Sequence, residues 1–558
     1  MLSCKVFLCL LFLCCYWAGD LVQCLSYTKL EELSLSEPFE REVDEFDQQK
    51  RTTKLKYGKL EHTPLDDNYV KGSIWPKPQE EHREDDYFFV DHVNFKFSAN
   101  GAGKDSEILK SALKRYKGLL FPKKEGEQAS GKVIRELVVN VKTKQENLDI
   151  NMDESYELSV EAPASHLSAN TIWGTLRGLE TFSQIIYINK NNKYLARKTK
   201  VKDWPRFKHR GFLIDTSRHY LPLKTLYKFL DAMAYSKFNV LHWHIVDDPA
   251  FPYVSKTFPN LSLKGARDPV THVYTPDNVQ AIISYARNRG IRIIPEFDTP
   301  GHTQSWKAID GLLTDCENGN FGPIDPTKEA NYKFLEKLFQ EVAQVFPDKY
   351  LHLGADEVDF TCWKQNKKIG EWMKKNNNET YEQLEQYYAT RLVNIIEKLK
   401  RKSIVWQDIF DNGVELKPGT LVNLWLPGWE AEMKKVTAKG HQVILSSCWY
   451  LNYINYGMDW PEYYFCDPHD FDGTDQEKDL VIGGTAAMWG EYVDSTNILD
   501  RTWARGLAVG ERLWSAKSVK DSTDAMQRIW EHRCRYISRG IPAEPVVKGK
   551  FCIDEWDP

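Results

Sequence analysis

The sequence predicts an α/β protein, a (β/α)8 TIM barrel preceded by a small α+β domain, and three observations lead there. From Phe207 onward, short apolar runs alternate with amphipathic segments of helix length. The runs cover residues 211–218, 239–248, 291–298, 350–357, 404–408, 421–425, 443–450 and 481–491, and eight strand-helix repeats are what a closed parallel barrel requires. Their C-terminal ends carry polar and aromatic residues, where such a barrel opens its working face. No Gly-rich turn follows the first run, which argues against a doubly wound sheet.

The chain of 558 residues is longer than one compact domain usually needs, and 42% hydrophobic residues with 18 Trp, 27 Tyr and 26 Phe supply a large core. A net charge of -5 with dispersed basic residues carries no nucleic-acid footprint. At the N-terminus Lys5 precedes an apolar run over 6–17, followed by Ala18 and Gly19. That order is a secretory signal peptide, assigned to residues 1–19, and the run is short for a bilayer span. No later run is long and apolar enough to span, so no stable membrane insertion is expected. The later cysteines are even in number, as bridges in an oxidising compartment would be. Sequence proximity pairs Cys316 with Cys362, Cys448 with Cys466, and Cys534 with Cys552. None has the CxxC spacing of a zinc site, and neither metal nor cofactor is expected. Asn260 and Asn378 head glycosylation sequons, consistent with the secretory pathway.

Taken in order, residues 25–74 read as a charged leader or linker without periodicity, closed by Pro76 and Pro78. The α+β domain is assigned to 75–203 and the barrel to 207–558. Within the first, residues 90–97 read as a strand. Asp105 caps a helix with Ile108, Leu109, Ala112, Leu113 and Tyr116 on one face. Strands follow at 133–141 and 155–161, then a helix marked by Ile172, Leu176, Leu179, Phe182 and Ile186. Strands segregated from two helices suggest an antiparallel sheet with helices on one face.

The stretch at 350–363, YLHLGADEVDFTCW, opens as a buried strand and ends in adjacent carboxylates, Asp356 and Glu357. Other strand ends offer Arg218, Asp247 with Asp248, His302, Trp406, Trp425, Tyr450, and Trp489 with Glu491. Such a rim suits a sugar: Arg218 and Glu491 can hold hydroxyls, and tryptophans can cover ring faces. Cleaving a glycosidic bond needs an acid for the leaving oxygen and a second group across the anomeric carbon. Neighbours on a strand tip tend to point apart, so if Glu357 faces the leaving group, Asp356 must do something other than backside attack.

The stretches HRGFLIDTSRHY at 209–220, HWHIVDD at 242–248, PEFDTPGH at 295–302, HLGADEV at 352–358 and AMWGE at 487–491 resemble the lysosomal-type β-N-acetylhexosaminidases of glycoside hydrolase family 20. The resemblance runs from about residue 75 to 552, in matching order. It implies an exo-acting hydrolase that removes terminal non-reducing β-linked GlcNAc or GalNAc from glycans, glycoproteins or glycolipids. It also implies retention by substrate assistance through an oxazolinium intermediate, an exception to the two-carboxylate scheme. By that resemblance Glu357 is general acid and base, Asp356 orients the acetamido group and Tyr450 hydrogen-bonds its oxygen. Trp406, Trp425 and Trp489 box in the acetyl methyl, Arg218 and Glu491 hold hydroxyls, and Asp247 with His302 supports Glu357. Glu357 is then needed protonated and Asp356 ionised, which split pKa values would arrange and an acidic compartment, lysosomal or reached by secretion, would suit.

The chain departs from the family pattern at Ala355, where a second Gly is usual. Asn452 resembles the vertebrate alpha chain as a substrate-binding position, but Tyr453 stands where that chain has Arg. Cys448 and Cys466 do not match the vertebrate chains, so their pairing rests on spacing. Tyr456 matches a residue that reaches a partner's site, which implies a homodimer. Two rivals carry different chemistry: a metal-dependent amidohydrolase using the His242-x-His244 pair with Asp247, Asp248 and His302, and a non-catalytic sugar-binding protein.

Overall fold

The structure, a computed structural model, describes residues 71–122, 131–189, 191–552 and 555. The expected signal peptide and the leader up to residue 70 lie outside the described residues. The first sheet takes β1 (Glu80–Val90), β2 (Lys96–Asn100), β3 (Val133–Ile134), β4 (Glu136–Val141), β5 (Tyr156–Val160), β6 (Ala164–Ala169), β7 (Ile186–Ile188) and β8 (Tyr194–Asp203). Their spatial order is β2-β4-β6-β5-β8-β1-β3, with β7 beside β8.

This sheet is mixed, which corrects the antiparallel arrangement read from the sequence. β2, β4 and β6 run parallel, as do β1 and β3, while β5 and β8 pair antiparallel with their neighbours. Helix α1 (Glu107–Leu120) lies between β2 and β4, and a helical crossover returns the chain in its original direction where a tight hairpin would reverse it. α1 packs against α2 (Ile172–Ile185) over one core that includes Leu109, Tyr116, Val139, Leu158, Leu176 and Phe182. Two local readings also shift. The Asp91 carboxylate accepts the Asn94 N–H at 3.0 Å, an Asx-type turn that splits the strand expected over 90–97 into β1 and β2. The cap of α1 is Ser106, whose hydroxyl accepts the Leu109 N–H at 3.3 Å, one residue after the expected Asp105.

The second part is the barrel. Its strands are β9 (His209–Asp215), β10 (Val240–Val246) and β11 (Arg292–Phe297), then, beyond a hairpin of β12 (Leu313–Asp315) and β13 (Phe321–Ile324), β14 (Tyr350–His352), β15 (Lys402–Trp406), β16 (Leu421–Leu424), β17 (Val443–Leu445) and β18 (Val481–Met488). They close in the order β10-β11-β14-β15-β16-β17-β18-β9, and every pairing around the ring is parallel. Val240, Ile294, Tyr350, Ile404, Leu421, Ile444 and Ile482 form one buried apolar cluster across the ring. Because strand side chains alternate faces, the residues two further along the strands share that inner face one layer higher. At β10, β11, β14 and β15 these are His242, Glu296, His352 and Trp406. The barrel thus changes from apolar to polar toward the C-terminal ends of its strands.

All three expected disulfides are formed, Cys316–Cys362, Cys448–Cys466 and Cys534–Cys552. The first ties the β12–β13 hairpin to the segment just after Glu357. Of the sequons, Asn260 is exposed and Asn378 half-buried.

A buried ion cluster joins the two parts. Glu154 accepts from Arg177 Nε at 2.8 Å, from Arg210 Nη2 at 2.6 Å and from Asn239 Nδ2 at 3.1 Å, and all four residues are buried. Burial alone would raise the Glu154 carboxyl, but the two guanidinium groups hold it below its usual range. Removing the acid strands two buried cations, so Glu154→Ala is expected to lower unfolding free energy by about 3–5 kcal/mol, measured by denaturant titration.

Candidate active site

The strand β14 ends at His352, and the chain then turns sharply. Gly354, Ala355 and Glu357 take φ of 70°, 67° and 49°. At Gly354 a Cβ would sit 1.7 Å from the Asp298 Oδ1, so glycine is required by contact as well as by backbone conformation. The same Oδ1 accepts the Ala355 N–H at 3.0 Å, and Asp408 Oδ1 accepts the Glu357 N–H at 3.2 Å. This pinned turn separates the neighbouring acids: the Asp356 side chain is 11% exposed and the Glu357 side chain 42%. The pair does point apart, one inward and one toward the rim.

His302 bridges toward both acids. Its Nε2 lies 3.3 Å from Glu357 Oε2 and 3.8 Å from Asp356 Oδ2, while Nδ1 faces Asp247 Oδ1 at 3.4 Å. Asp247 Oδ2 in turn faces His244 Nε2 at 2.7 Å and Arg218 Nη2 at 3.0 Å. His244 Nδ1 stands 2.7 Å from Glu296 Oε2, to which His242 Nε2 is hydrogen-bonded at 2.7 Å. The Trp406 indole N–H donates to Glu296 Oε1 at 2.8 Å. An alternation of acid and base therefore runs Glu357, His302, Asp247, His244, Glu296 from the rim to the inner polar layer.

The charges follow that alternation. Burial would lower His302, but Asp247, Asp298 and Asp356 together hold it well above the usual imidazole range. Burial would raise Asp247, yet His302 and Arg218 keep it well below the carboxylate range. His244 is pushed up to about 10 because Glu296 and Asp247 outweigh its burial, while burial and the neighbouring His352 take His242 down to about 4. Asp356 behaves differently: burial first, and then the nearby Asp298 carboxyl, raise it well above an ordinary aspartate. Asp298 is raised as well, by burial and the Glu296 carboxylate, against lowering by His302 and by its hydrogen bond with Asp356.

The aromatic residues line the next sector of the rim. Ring centroids step from Trp406 to Trp489 (6.1 Å), Trp489 to Tyr450 (6.4 Å) and Tyr450 to Trp425 (6.2 Å). The Trp425 indole N–H donates to Asp408 Oδ2 at 2.7 Å, and Tyr450 is fastened by a parallel bridge to Ala487. Arg218 lies over Trp489, 5.1 Å from its centroid, with Nη1 3.2 Å from Asp215 Oδ2 and Nε 4.0 Å from Glu491 Oε1. The Asn452 backbone carbonyl accepts from Arg501, and among the described residues its buried side-chain oxygen has no hydrogen-bond partner. Asp356, Glu357, His302, Asp247, Arg218 and Glu491 thus meet through charged contacts, and Trp406, Trp489, Tyr450 and Trp425 through ring contacts. Among the described residues Asn452 makes no hydrogen bond or ion pair with either group.

Sequence reasoning missed Glu296, Asp298, Asp215 and Asp408. It weighed His242 and His244 as a rival's metal ligands and favoured packed or hydrogen-bonded histidines inside the second strand, which is what they are. Both ring nitrogens of His244 lie 2.7 Å from carboxylate oxygens. The available signal was the motif PEFD at 295–298, whose alternate residues Glu296 and Asp298 fall on the same strand face as Ile294. Because Glu296 holds both Trp406 and His244, Glu296→Gln is expected to lower kcat/KM about 10- to 100-fold with the fold retained, read by steady-state kinetics beside a thermal melt.

An acid at the rim of a (β/α)8 barrel, backed by a histidine-aspartate pair and flanked by an aromatic box, defines a glycoside-cleaving enzyme. Residues 207–517 match the family model "Glycosyl hydrolase family 20, catalytic domain", and residues 74–185 match "beta-acetyl hexosaminidase like". The chain belongs to glycosyl hydrolase family 20. It is 46% identical over 508 residues to the beta-hexosaminidase subunit beta of Homo sapiens, covering 87% of this chain and 90% of that one. It is 44% identical over 508 residues to the subunit alpha of Mus musculus, covering 87% and 96%. Among solved structures it resembles a chitobiase from Flavobacterium johnsoniae, with TM-score 0.76 and 29% identity over 84% of this chain and 73% of that one. The enzyme class is that of a family 20 β-N-acetylhexosaminidase.

Proposed function

We propose that the enzyme removes terminal β-linked N-acetylhexosamine from glycoconjugates with retention, the substrate's own acetamido oxygen attacking the anomeric carbon. The observation that carries this reading is the turn after β14. It buries Asp356 beside Asp298 and leaves Glu357 at the rim against His302, so the two acids serve different atoms.

In this scheme Glu357 protonates the leaving oxygen in the first step. His302, kept positively charged by Asp247, steadies the carboxylate that results. The acetamido group enters the box of Trp406, Trp425 and Trp489, where Tyr450 donates to its oxygen and Asp356 accepts from its N–H. As the oxazolinium ring forms, positive charge grows on that nitrogen and Asp356 opposes it from a buried position, where electrostatic stabilisation is large. Glu357 then takes a proton from water, which opens the ring from the face the leaving group vacated. Arg218 and Glu491 hold hydroxyls of the same sugar, and Asn452, which precedes the Tyr453 ring stacked on Tyr450, is a further binding position. These roles need no cofactor.

We assign residues 75–203 to a supporting domain and 207–558 to the catalytic one. The reading places the enzyme in the secretory pathway, in lysosomes or secreted, and among the described residues no helix is long and apolar enough to cross a membrane. We also propose a homodimer: Tyr456 is fully exposed, and Ile454 and Tyr492 are 80% and 71% exposed, a set of large apolar groups near the rim that suits a partner surface. The deciding experiment compares chromogenic N-acetyl-β-glucosaminide with the matching β-glucoside. Cleavage of the acetamido sugar alone supports substrate assistance, and equal cleavage of both rules it out.

A further inference from the structure

The ring contacts of the aromatic box run Trp406, Trp489, Tyr450, Trp425 and leave the two ends of that series to be joined. Asp408 joins them. It follows Trp406 by two residues, just past the end of β15, and its Oδ2 accepts the Trp425 indole N–H at 2.7 Å. Gln407, between the two, secures the backbone of the same tryptophan. Its Oε1 accepts the Trp425 N–H at 2.9 Å and the Leu426 N–H at 3.0 Å, and its Nε2 donates to Asp411 Oδ2 at 2.9 Å. Residues 406–408 therefore supply one wall of the box and hold the wall at its far end.

The other oxygen of Asp408 faces the acid. Oδ1 accepts the Glu357 N–H at 3.2 Å, on the residue whose φ of 49° belongs to the turn after β14. A carboxylate is planar and rigid, so its two oxygens move together and a displacement of either donor is passed to the other. One half-buried side chain thus spans the tryptophan assigned to the acetyl methyl and the backbone of the residue assigned to proton transfer.

Charge adds a second link. Burial raises Asp408 above an ordinary aspartate and the Glu357 carboxylate pushes it the same way, against the hydrogen bonds it accepts from Trp425 and the Glu357 N–H. That repulsion is mutual: an ionised Asp408 helps Glu357 keep its proton, opposing the His302 imidazole 3.3 Å from that acid. Asp408 also adds to the burial and the Asp298 carboxyl that raise Asp356. Glu385, on the helix Tyr381–Lys398, and Asp411 feel the same charge.

We infer that Asp408 is a positioning residue that couples the aromatic box to the proton donor, so that an N-acetyl group seated against Trp425 also sets the turn carrying Glu357. The inference rests on the substrate-assisted reading above and adds to it a second task for the acetamido group, that of bringing the acid into place.

The test is a double-mutant cycle on Asp408→Asn and Trp425→Phe, the second keeping a ring without the indole N–H. Asp408→Asn is expected to lower kcat about 10- to 100-fold on a β-linked GlcNAc disaccharide, with less change in KM and a smaller loss on the nitrophenyl glycoside. Coupling requires the double variant to lose clearly less than the product of the single losses. Asp408→Asn should also move both limbs of the kcat/KM profile to lower pH, because Asp356 and Glu357 each lose a neighbouring negative charge, while Asp408→Glu should keep the limbs near their wild-type positions. Single losses that multiply, or limbs that stay in place in Asp408→Asn, overturn the inference. Hydrogen exchange of the 353–358 backbone reads the coupling without turnover. Protection by bound N-acetylglucosamine that is present in the wild type and lost in Trp425→Phe and Asp408→Asn supports it, and equal protection in all three overturns it. A wild type that cleaves neither substrate would overturn the glycosidase reading, and the exchange measurement would still decide the coupling.

Discussion

Replacing Glu357 by Gln is expected to lower kcat/KM by about 10²–10⁴-fold on natural glycosides, the usual contribution of a positioned proton donor. The substitution keeps the shape of the side chain and its place on the turn, where the backbone N–H is held by Asp408. What disappears is the transferable proton. The loss should shrink for aryl glycosides with good leaving groups, because those need little protonation at the first step. Steady-state kinetics across a leaving-group series checks this, and a loss independent of the leaving group would remove Glu357 from the acid role.

Asp356→Asn should cost about 10²–10³-fold, since it removes a buried negative charge placed where positive charge develops. Here the effect should be insensitive to the leaving group, which separates the two acids experimentally. The pH dependence follows from the buried pair. Burial and Asp298 raise Asp356, and its working form is ionised, so activity should fall on acidification sooner than for an ordinary aspartate. Asp298→Asn takes away the like charge, lets Asp356 ionise at lower pH, and should move the acidic limb of the kcat/KM profile to lower pH even though the Ala355 N–H loses a charged acceptor. A limb that moves to higher pH would contradict the pairing.

One turn places its two carboxylates in different surroundings. Glu357 is half-exposed and stands against a charged imidazole, whereas Asp356 is buried against another acid. The sequence reading expected split pKa values between these neighbours; Asp356 is instead perturbed by burial first and then by Asp298, just past the end of β11. Proton affinity at Asp356 is governed by burial and by an acid at the end of the neighbouring strand more than by adjacency along the chain.

Much of this protein is legible in the amino-acid order alone. The eight apolar runs of the barrel each fall on an observed strand, because a parallel strand buried on both faces must be apolar almost throughout. The three cysteine pairs were readable from proximity, and the rim residues from their position at the ends of the runs. What escaped the sequence depends on groups that meet only after folding. Whether the first sheet is mixed or antiparallel is settled by the crossover through α1, and the split of residues 90–97 by the Asp91 side chain turning back on its own backbone. The inner layer of Glu296, His242, His244 and His352 looked like strand interior because each residue lies among apolar neighbours in sequence. Local pattern determines which segments become strands and which of their residues face inward. Only barrel closure, which brings strands distant in sequence within hydrogen-bonding reach, decides that Glu296 holds Trp406 and that His302 stands between Asp247 and Glu357.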